Sequence, residues 1–316
     1  MLELKACGEY QLGSELGGVD LHKVLAVYNF SFWYDGRSSW VILNLQEPAV
    51  ALVSTDGYAR FYGVSCSEDF VSELKRVLGI SEDLSSFFKL GAGDPLLGEF
   101  LKEFRGWRLR SSPLWWSLII GVCQQNASFR QGWRMLQNIV KLLGKAVRAG
   151  GREVLLPPRP EEVLVSAGRL REASVGYRAG TIVNIAKAFT QGELSEEPLK
   201  ELNSREIEEN LVSIKGVGKY TARLALALTY RKYDLPPVDR WLRAIIAEVY
   251  GVEEKKAEGF WSARWGEWAG LAAIAVTVAL DAVPLRKALE RVRRGILKPV
   301  LEDIPTPYSM WRFARL

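Results

Sequence analysis

The sequence predicts an α+β protein, mainly α, with a small antiparallel β-sheet domain first and an all-helical domain after it. Three observations lead there. Two Asp-Gly pairs, Asp35-Gly36 and Asp56-Gly57, stand between strand-like runs: FSFWY and WVILNL flank the first, AVALVST and YARFYGV the second. Asp-Gly supplies the positive φ angles of tight hairpins, so an antiparallel sheet is expected over about residues 24–64. Beyond residue 97 apolar residues recur at helical spacing almost throughout. Of the 316 residues, 48% are hydrophobic and 25% charged, the mix of a globular chain rather than a disordered one.

The elements follow in order. Helical spacing over 67–90 (Phe70, Leu74, Val77, Leu78) is interrupted at Gly79. A long amphipathic stretch, 114–143, reads as two helices broken near 124–127. Leu156-Pro157-Pro158-Arg159-Pro160 is a rigid linker, and Pro160 opens the next helix, where its missing N–H does no harm. Helices are then expected at 161–170, 180–191, 197–203, 205–214, 221–230, 238–250 and 260–281. The apolar run 268–280 falls well short of the ~20 residues a membrane helix needs, so it reads as a buried helix. Domain limits are set at 1–96 for the sheet domain, 97–295 for the helical core and 296–316 for an extended C-terminal tail.

Rare residues exclude several chemistries. The single histidine, His22, rules out a multi-histidine metal site and leaves a Ser-His-Asp triad almost no raw material. Cys7, Cys66 and Cys123 lie far apart in sequence, so no zinc or iron–sulfur motif and no disulfide framework is expected. No metal and no cofactor is called for. The opening MLELKACGEYQL lacks the apolar core of a signal peptide. A soluble, intracellular protein in a reducing compartment (cytoplasm, nucleoid or nucleus) is expected. Lys and Arg exceed Asp and Glu by 42 to 37, a net charge of +5 that permits a polyanionic partner without requiring one. Eleven tryptophans are many, and such rings fill a core or stack on something flat.

One segment concentrates chemistry. In 211–251 a helix ending near Ile214 meets Gly216-Val217-Gly218, and another begins at Lys219-Tyr220-Thr221. Two glycines around one apolar residue allow a turn whose N–H groups face outward at a helix N-terminus, which suits a phosphate oxygen. Taken alone, this is a short helix–helix turn. About twenty residues on, Pro236-Pro237-Val238-Asp239-Arg240-Trp241 puts an acid at a helix start, normally just a cap.

Together the two elements resemble the helix-hairpin-helix and Gly/Pro-Asp signature of base-excision DNA glycosylases. Further motifs occur in that superfamily's order: Phe104-Arg105-Gly106-Trp107-Arg108-Leu109, Pro113-Leu114-Trp115, Gln124-Gln125-Asn126, Ser174-Val175-Gly176-Tyr177-Arg178-Ala179 and Trp265-Gly266-Glu267-Trp268-Ala269-Gly270. The likeness covers roughly residues 20–290, with the hairpin at 205–230. It is nearest to the 8-oxoguanine and 3-methyladenine-II branches.

The resemblance implies an enzyme that flips a damaged base out of double-stranded DNA and hydrolyses its N-glycosidic bond, acting as a monomer. Asp239 matches the catalytic aspartate. Bifunctional members carry a nucleophilic lysine two residues after the second hairpin glycine, and here that position is Tyr220. Lys219 is adjacent, but one step along a helix turns a side chain by about 100°. A monofunctional enzyme is expected, the alternative being a lyase acting through Lys219 or Lys215. Tyr220, Trp241, Ala273 and Thr277 are expected to line the base pocket. The 8-oxoguanine enzymes carry glutamine and phenylalanine at the last two of these positions.

Asn126, with Gln125, matches the loop that fills the hole left by the flipped base. Gly216, Gly218, Lys219 and Thr221 of the hairpin, with Arg130, Arg240 and Arg243, are expected on DNA; each arginine can equally be a solvated charge. Trp107, Trp115, Trp265 and Trp268 read as core. Aromatic walls suit cationic alkylated purines through cation–π contact. 8-Oxoguanine and deaminated or mismatched bases are the alternatives. A non-catalytic duplex-binding protein is a second reading, against which the acid at Asp239 counts.

Overall fold

The computed structural model describes residues 1–30 and 33–314. The chain opens with strand β1 (Leu2–Gln11) and a short helix α1 (Leu21–Ala26), followed by β2 (Ser38–Asn44), β3 (Ala49–Ser54) and β4 (Tyr58–Gly63). Helices α2 (Phe70–Leu78), α3 (Ser85–Gly91), α4 (Gly98–Glu103), α5 (Leu114–Gln124) and α6 (Phe129–Leu143) come next, then strands β5 (Lys145–Ala149) and β6 (Arg152–Leu156). The rest is helical: α7 (Pro160–Val165), α8 (Arg178–Thr190), α9 (Glu196–Lys200), α10 (Ser204–Val212), α11 (Lys219–Ala225), α12 (Arg240–Tyr250), α13 (Ala257–Trp265), α14 (Ala269–Ala279) and α15 (Leu285–Arg293).

The second predicted hairpin forms, with Gly57 at φ 89° between β3 and β4. The first does not run as expected. Residues 21–26 are helical because Asp20 caps Lys23 N–H at 3.1 Å and Leu21, Val24 and Leu25 fall on one buried face. Ser31 and Phe32 of the FSFWY run lie outside the described residues. Among the described residues between α1 and β2, Tyr34 alone pairs, in an isolated bridge to Ser39.

The six strands lie in the order β2-β3-β4-β1-β5-β6, with β1 and β5 parallel and the remaining pairs antiparallel. The expectation of an all-helical region after residue 97 is therefore corrected. Gly150 and Gly151, at φ 55° and 76°, turn a two-residue hairpin there and extend the N-terminal sheet. β1 brings a second correction: it sets Cys7 beside the chain leaving β4, and Cys7 and Cys66 form a disulfide, 59 residues apart in sequence. Distance along the chain was no guide to distance across the sheet.

The expected helix 260–281 is broken at Gly266 (φ 52°), and α14 beyond it is buried except at Thr277. No helix among the described residues is long and apolar enough to cross a membrane. The C-terminal segment from residue 296 packs on the body: Thr306 and Met310 are buried, and the Tyr28 N–H donates to the Pro307 carbonyl at 2.7 Å.

One core runs from the sheet into the helices, with Trp107, Trp116, Trp261 and Trp265 fully buried. Helices α5 and α11 cross at Gly121, where an added Cβ would lie 2.8 Å from a Thr221 methyl. That close crossing seats the hairpin against the centre of the molecule.

Candidate active site

The hairpin is built from α10, the turn 213–218 and α11. Val217 is buried between its two glycines and anchors the turn, while both glycines stay exposed. They differ in need. Gly216 sits at φ 97°, where an added Cβ would strike Thr181; Gly218 is extended, caps α11, and has nothing within 4 Å of the point where a Cβ would stand. The Lys215 carbonyl accepts the Asn184 amide at 3.0 Å, which ties the turn to α8.

Helix α11 carries Lys219 outward and Tyr220 inward. Lys219 is exposed, whereas Tyr220 is half-buried in the wall of a cavity of about 310 Å³. That volume is near the small end of the range for ligand pockets. Arg223, one turn on, donates to Glu208 of α10 at 2.5 Å, to Glu258 of α13 at 2.6 Å and to the Pro236 carbonyl at 3.2 Å. The half-buried Arg223 thus fixes the Pro236-Pro237 loop that delivers Asp239.

Asp239 caps α12: its carboxylate accepts the Leu242 N–H at 2.8 Å. It lines the same cavity and reaches solvent through the mouth. Apolar walls on the other sides raise its pKa above the ordinary aspartate value. The N–H groups of Leu242, Asp239 and Trp241 and the charge of Arg243 oppose that rise. Burial, with the Asp239 charge nearby, pushes the phenols of Tyr220 and Tyr28 up, so both are neutral at pH 7.

All four expected pocket residues line this cavity. Trp241 is held by an Nε1–H bond to the Val283 carbonyl at 2.8 Å, and Ala273 and Thr277 come from α14. No described lining residue is a lysine. Tyr28, Phe30 and Phe129 complete the aromatic wall and were missed by sequence reasoning. Tyr28 and Phe30 stack at 5.3 Å, and Phe129 meets Tyr28 edge-on at 6.0 Å. The strand assigned to residues 24–64 hid Tyr28 and Phe30, and no local motif marks a loop from the first domain as a pocket wall; Phe129 lay in the amphipathic stretch 114–143, where one aromatic among many carries no signal.

The expected DNA contacts divide. Asn126 is exposed, at φ 46°, at the tip of a loop whose residues Gln124, Ala127 and Ser128 line the cavity. Arg130 and Arg240 are exposed. Arg243 is exposed too, but it pairs with Glu258 at 3.2 Å. Thr221 requires a correction: it is fully buried, and its hydroxyl accepts the Gln125 amide at 2.6 Å. Gln125 also reaches the Gly216 carbonyl at 3.5 Å and accepts Arg178 at its own carbonyl. Thr221 and Gln125 therefore lock the 124–128 loop onto the hairpin.

No protein-family model matches the chain. The DNA-3-methyladenine glycosylase of Bacillus subtilis (strain 168) is 26% identical over 175 residues, 54% of this chain and 58% of that protein. The chain thus matches somewhat over half of that curated relative's length. The 3-methyladenine DNA-glycosylase from Archaeoglobus fulgidus superposes with a TM-score of 0.68 at 21% identity, over 85% of this chain and 96% of that one. The Clostridium acetobutylicum 8-oxoguanine glycosylase/lyase, solved on double-stranded DNA with cytosine opposite 8-oxoG, gives 0.66 at 19% identity, over 86% and 92%.

The chain shares the fold of these two DNA glycosylases. Gly270, which opens the buried part of α14, has a local reason to lack a side chain: it lies against Tyr233, whose carbonyl would be 2.9 Å from an added Cβ.

Proposed function

We propose that this protein is a monofunctional base-excision DNA glycosylase acting on alkylated purines in duplex DNA. The observation that carries the reading is Asp239, a carboxylate without an ion-pair partner among the described residues, in the wall of an aromatic cavity whose described lining includes no lysine.

Breaking the C1′–N bond leaves positive charge on the sugar, and a fixed carboxylate beside it stabilises that charge. Water then adds to C1′, the base departs with the bonding electrons, and the water's proton passes to Asp239 or to solvent. An alkylated purine is already cationic, so it leaves neutral and needs little help from an acid. Tyr220 and Tyr28, neutral phenols, offer π faces and hydroxyls rather than charge, which supports a flat cationic occupant. With Tyr220 at the lysine position no amine reaches C1′, so no imine forms.

The exposed Gly218 N-cap and the tip at Asn126 border this cavity's elements, in keeping with a duplex held at its backbone while one nucleotide enters. The test is base release from methylated duplex DNA. Release of free 3-methyladenine, leaving alkali-labile but unbroken strands, is the expected result. Binding without release would favour the non-catalytic reading.

A further inference from the structure

Tyr28 occupies an unusual backbone position. It follows α1, lines the cavity, and sits at φ 49°, in the left-handed region that a bulky side chain rarely adopts. Four hydrogen bonds hold it there. Its N–H donates to the Pro307 carbonyl of the C-terminal segment at 2.7 Å, and its carbonyl accepts the Phe30 N–H at 2.7 Å and Arg110 at 3.5 Å. The hydroxyl meets Thr277 Oγ1 on α14.

The direction of that last bond follows from counting protons. Each hydroxyl has one to donate. Thr277 donates its own to the Ile274 carbonyl at 2.6 Å, a back-bond that threonine commonly makes within helices. Thr277 can therefore only accept from Tyr28. The Tyr28 proton is committed in turn, and what its oxygen has left for the cavity is a lone pair.

We propose that Tyr28 is the specificity-determining residue of this cavity: its hydroxyl oxygen acts as a fixed acceptor that favours a base with an N–H donor at that edge. Thr277 and Pro307 are its positioning partners. The inference rests on the glycosylase reading and deepens it by naming the preferred class. At position 6 a purine derived from adenine carries an amino donor, and one derived from guanine a carbonyl acceptor. Stacking on aromatic rings treats the two alike, so with the 6-position turned to Tyr28, and the N1–H and 2-amino donors of guanine turned away from it, the acceptor decides, and alkylated adenines are favoured over alkylated guanines.

The experiment measures 3-methyladenine and 7-methylguanine released from the same methylated duplex DNA under single-turnover conditions. Tyr28→Phe keeps the ring and removes the acceptor; the adenine-to-guanine release ratio should fall at least ~10-fold, the scale of one buried hydrogen bond. Thr277→Val frees the Tyr28 proton to turn into the cavity, so its ratio should shift the same way. Damage to folding lowers both products together and leaves the ratio alone. Affinity for a duplex with a tetrahydrofuran abasic analogue, which puts no base in the cavity, checks that each variant is folded. A wild-type protein that releases both bases, with a ratio unchanged within twofold in both folded variants, overturns this inference alone. A wild-type protein that releases neither base overturns the proposed function, and this inference falls with it.

Discussion

The Leu242 N–H donates to the Asp239 carboxylate over 2.8 Å, so the acid in the cavity wall is also the cap of α12. The two roles use different properties. A cap needs an oxygen acceptor, and stabilising a sugar cation needs negative charge. Asp239→Asn separates them, because the amide oxygen can still accept the Leu242 N–H. Base release by this variant should slow by at least ~100-fold, the scale for one preorganised electrostatic group. Its affinity for an abasic-analogue duplex should stay near wild type. Turnover close to wild type would sink the assignment.

The raised pKa of Asp239 predicts a pH dependence of fixed sign. Catalysis uses the ionised form, so release should fail as pH drops through a value above the ~3.9 of an unperturbed aspartate. Stability runs the other way. Because the fold favours the protonated acid, this group's stabilising contribution is full below the unfolded pKa and is lost as pH rises through the folded one. Asp239→Asn should therefore melt higher than wild type at pH 7, with the difference shrinking towards pH 4. A variant that melts lower at pH 7 would contradict the burial that shifts the group.

The hairpin glycines should respond differently to the same substitution. At Gly216 an added methyl meets Thr181 in a left-handed backbone, so Gly216→Ala should lower the melting temperature. Gly218 is extended and open, so Gly218→Ala should leave stability almost unchanged. If the Gly218 turn seats a phosphate, the methyl would stand between backbone and ligand. Affinity for all duplexes should then fall alike, and more at ~200 mM salt than at ~50 mM. Unaltered binding by Gly218→Val at ~200 mM salt would make the turn a structural element only.

Much of this site was readable in the sequence because its signals are local. The Gly216-Val217-Gly218 turn, the Pro-Pro-Val-Asp cap and the α14 positions Ala273 and Thr277 lie within short segments whose spacing fixes their geometry. What was missed depends on distant contacts. Tyr28 reaches the cavity only because Pro307, some 280 residues later in sequence, clamps its backbone. Thr221 looked available at a helix start, yet the approach of α5 at Gly121 buries it. The Cys7–Cys66 bond needed the β1–β4 pairing, and β1 itself is mostly exposed, with little apolar alternation beyond Leu2 and Leu4 to announce it. Only the Gly150-Gly151 hairpin carried a local signal that went unused.

The last prediction concerns Tyr220, which the proposed function sets at the position of the bifunctional lysine. Tyr220 faces the cavity while its neighbour Lys219 is exposed on the adjoining face of α11, and Lys215 is exposed in the turn. A lyase step needs an amine at C1′ to form an imine, and borohydride traps that imine as a stable adduct. Incubating wild-type protein with methylated duplex and borohydride should give no cross-linked product, while alkali afterwards should cut the strand at the abasic site. Tyr220→Lys places an amine where the phenol now lines the cavity together with Asp239, and should yield a trappable adduct at a rate well below base release. Efficient trapping by the wild-type protein, lost on Lys219→Ala or Lys215→Ala, would show that the nucleophile lies outside the cavity wall and that the enzyme is bifunctional.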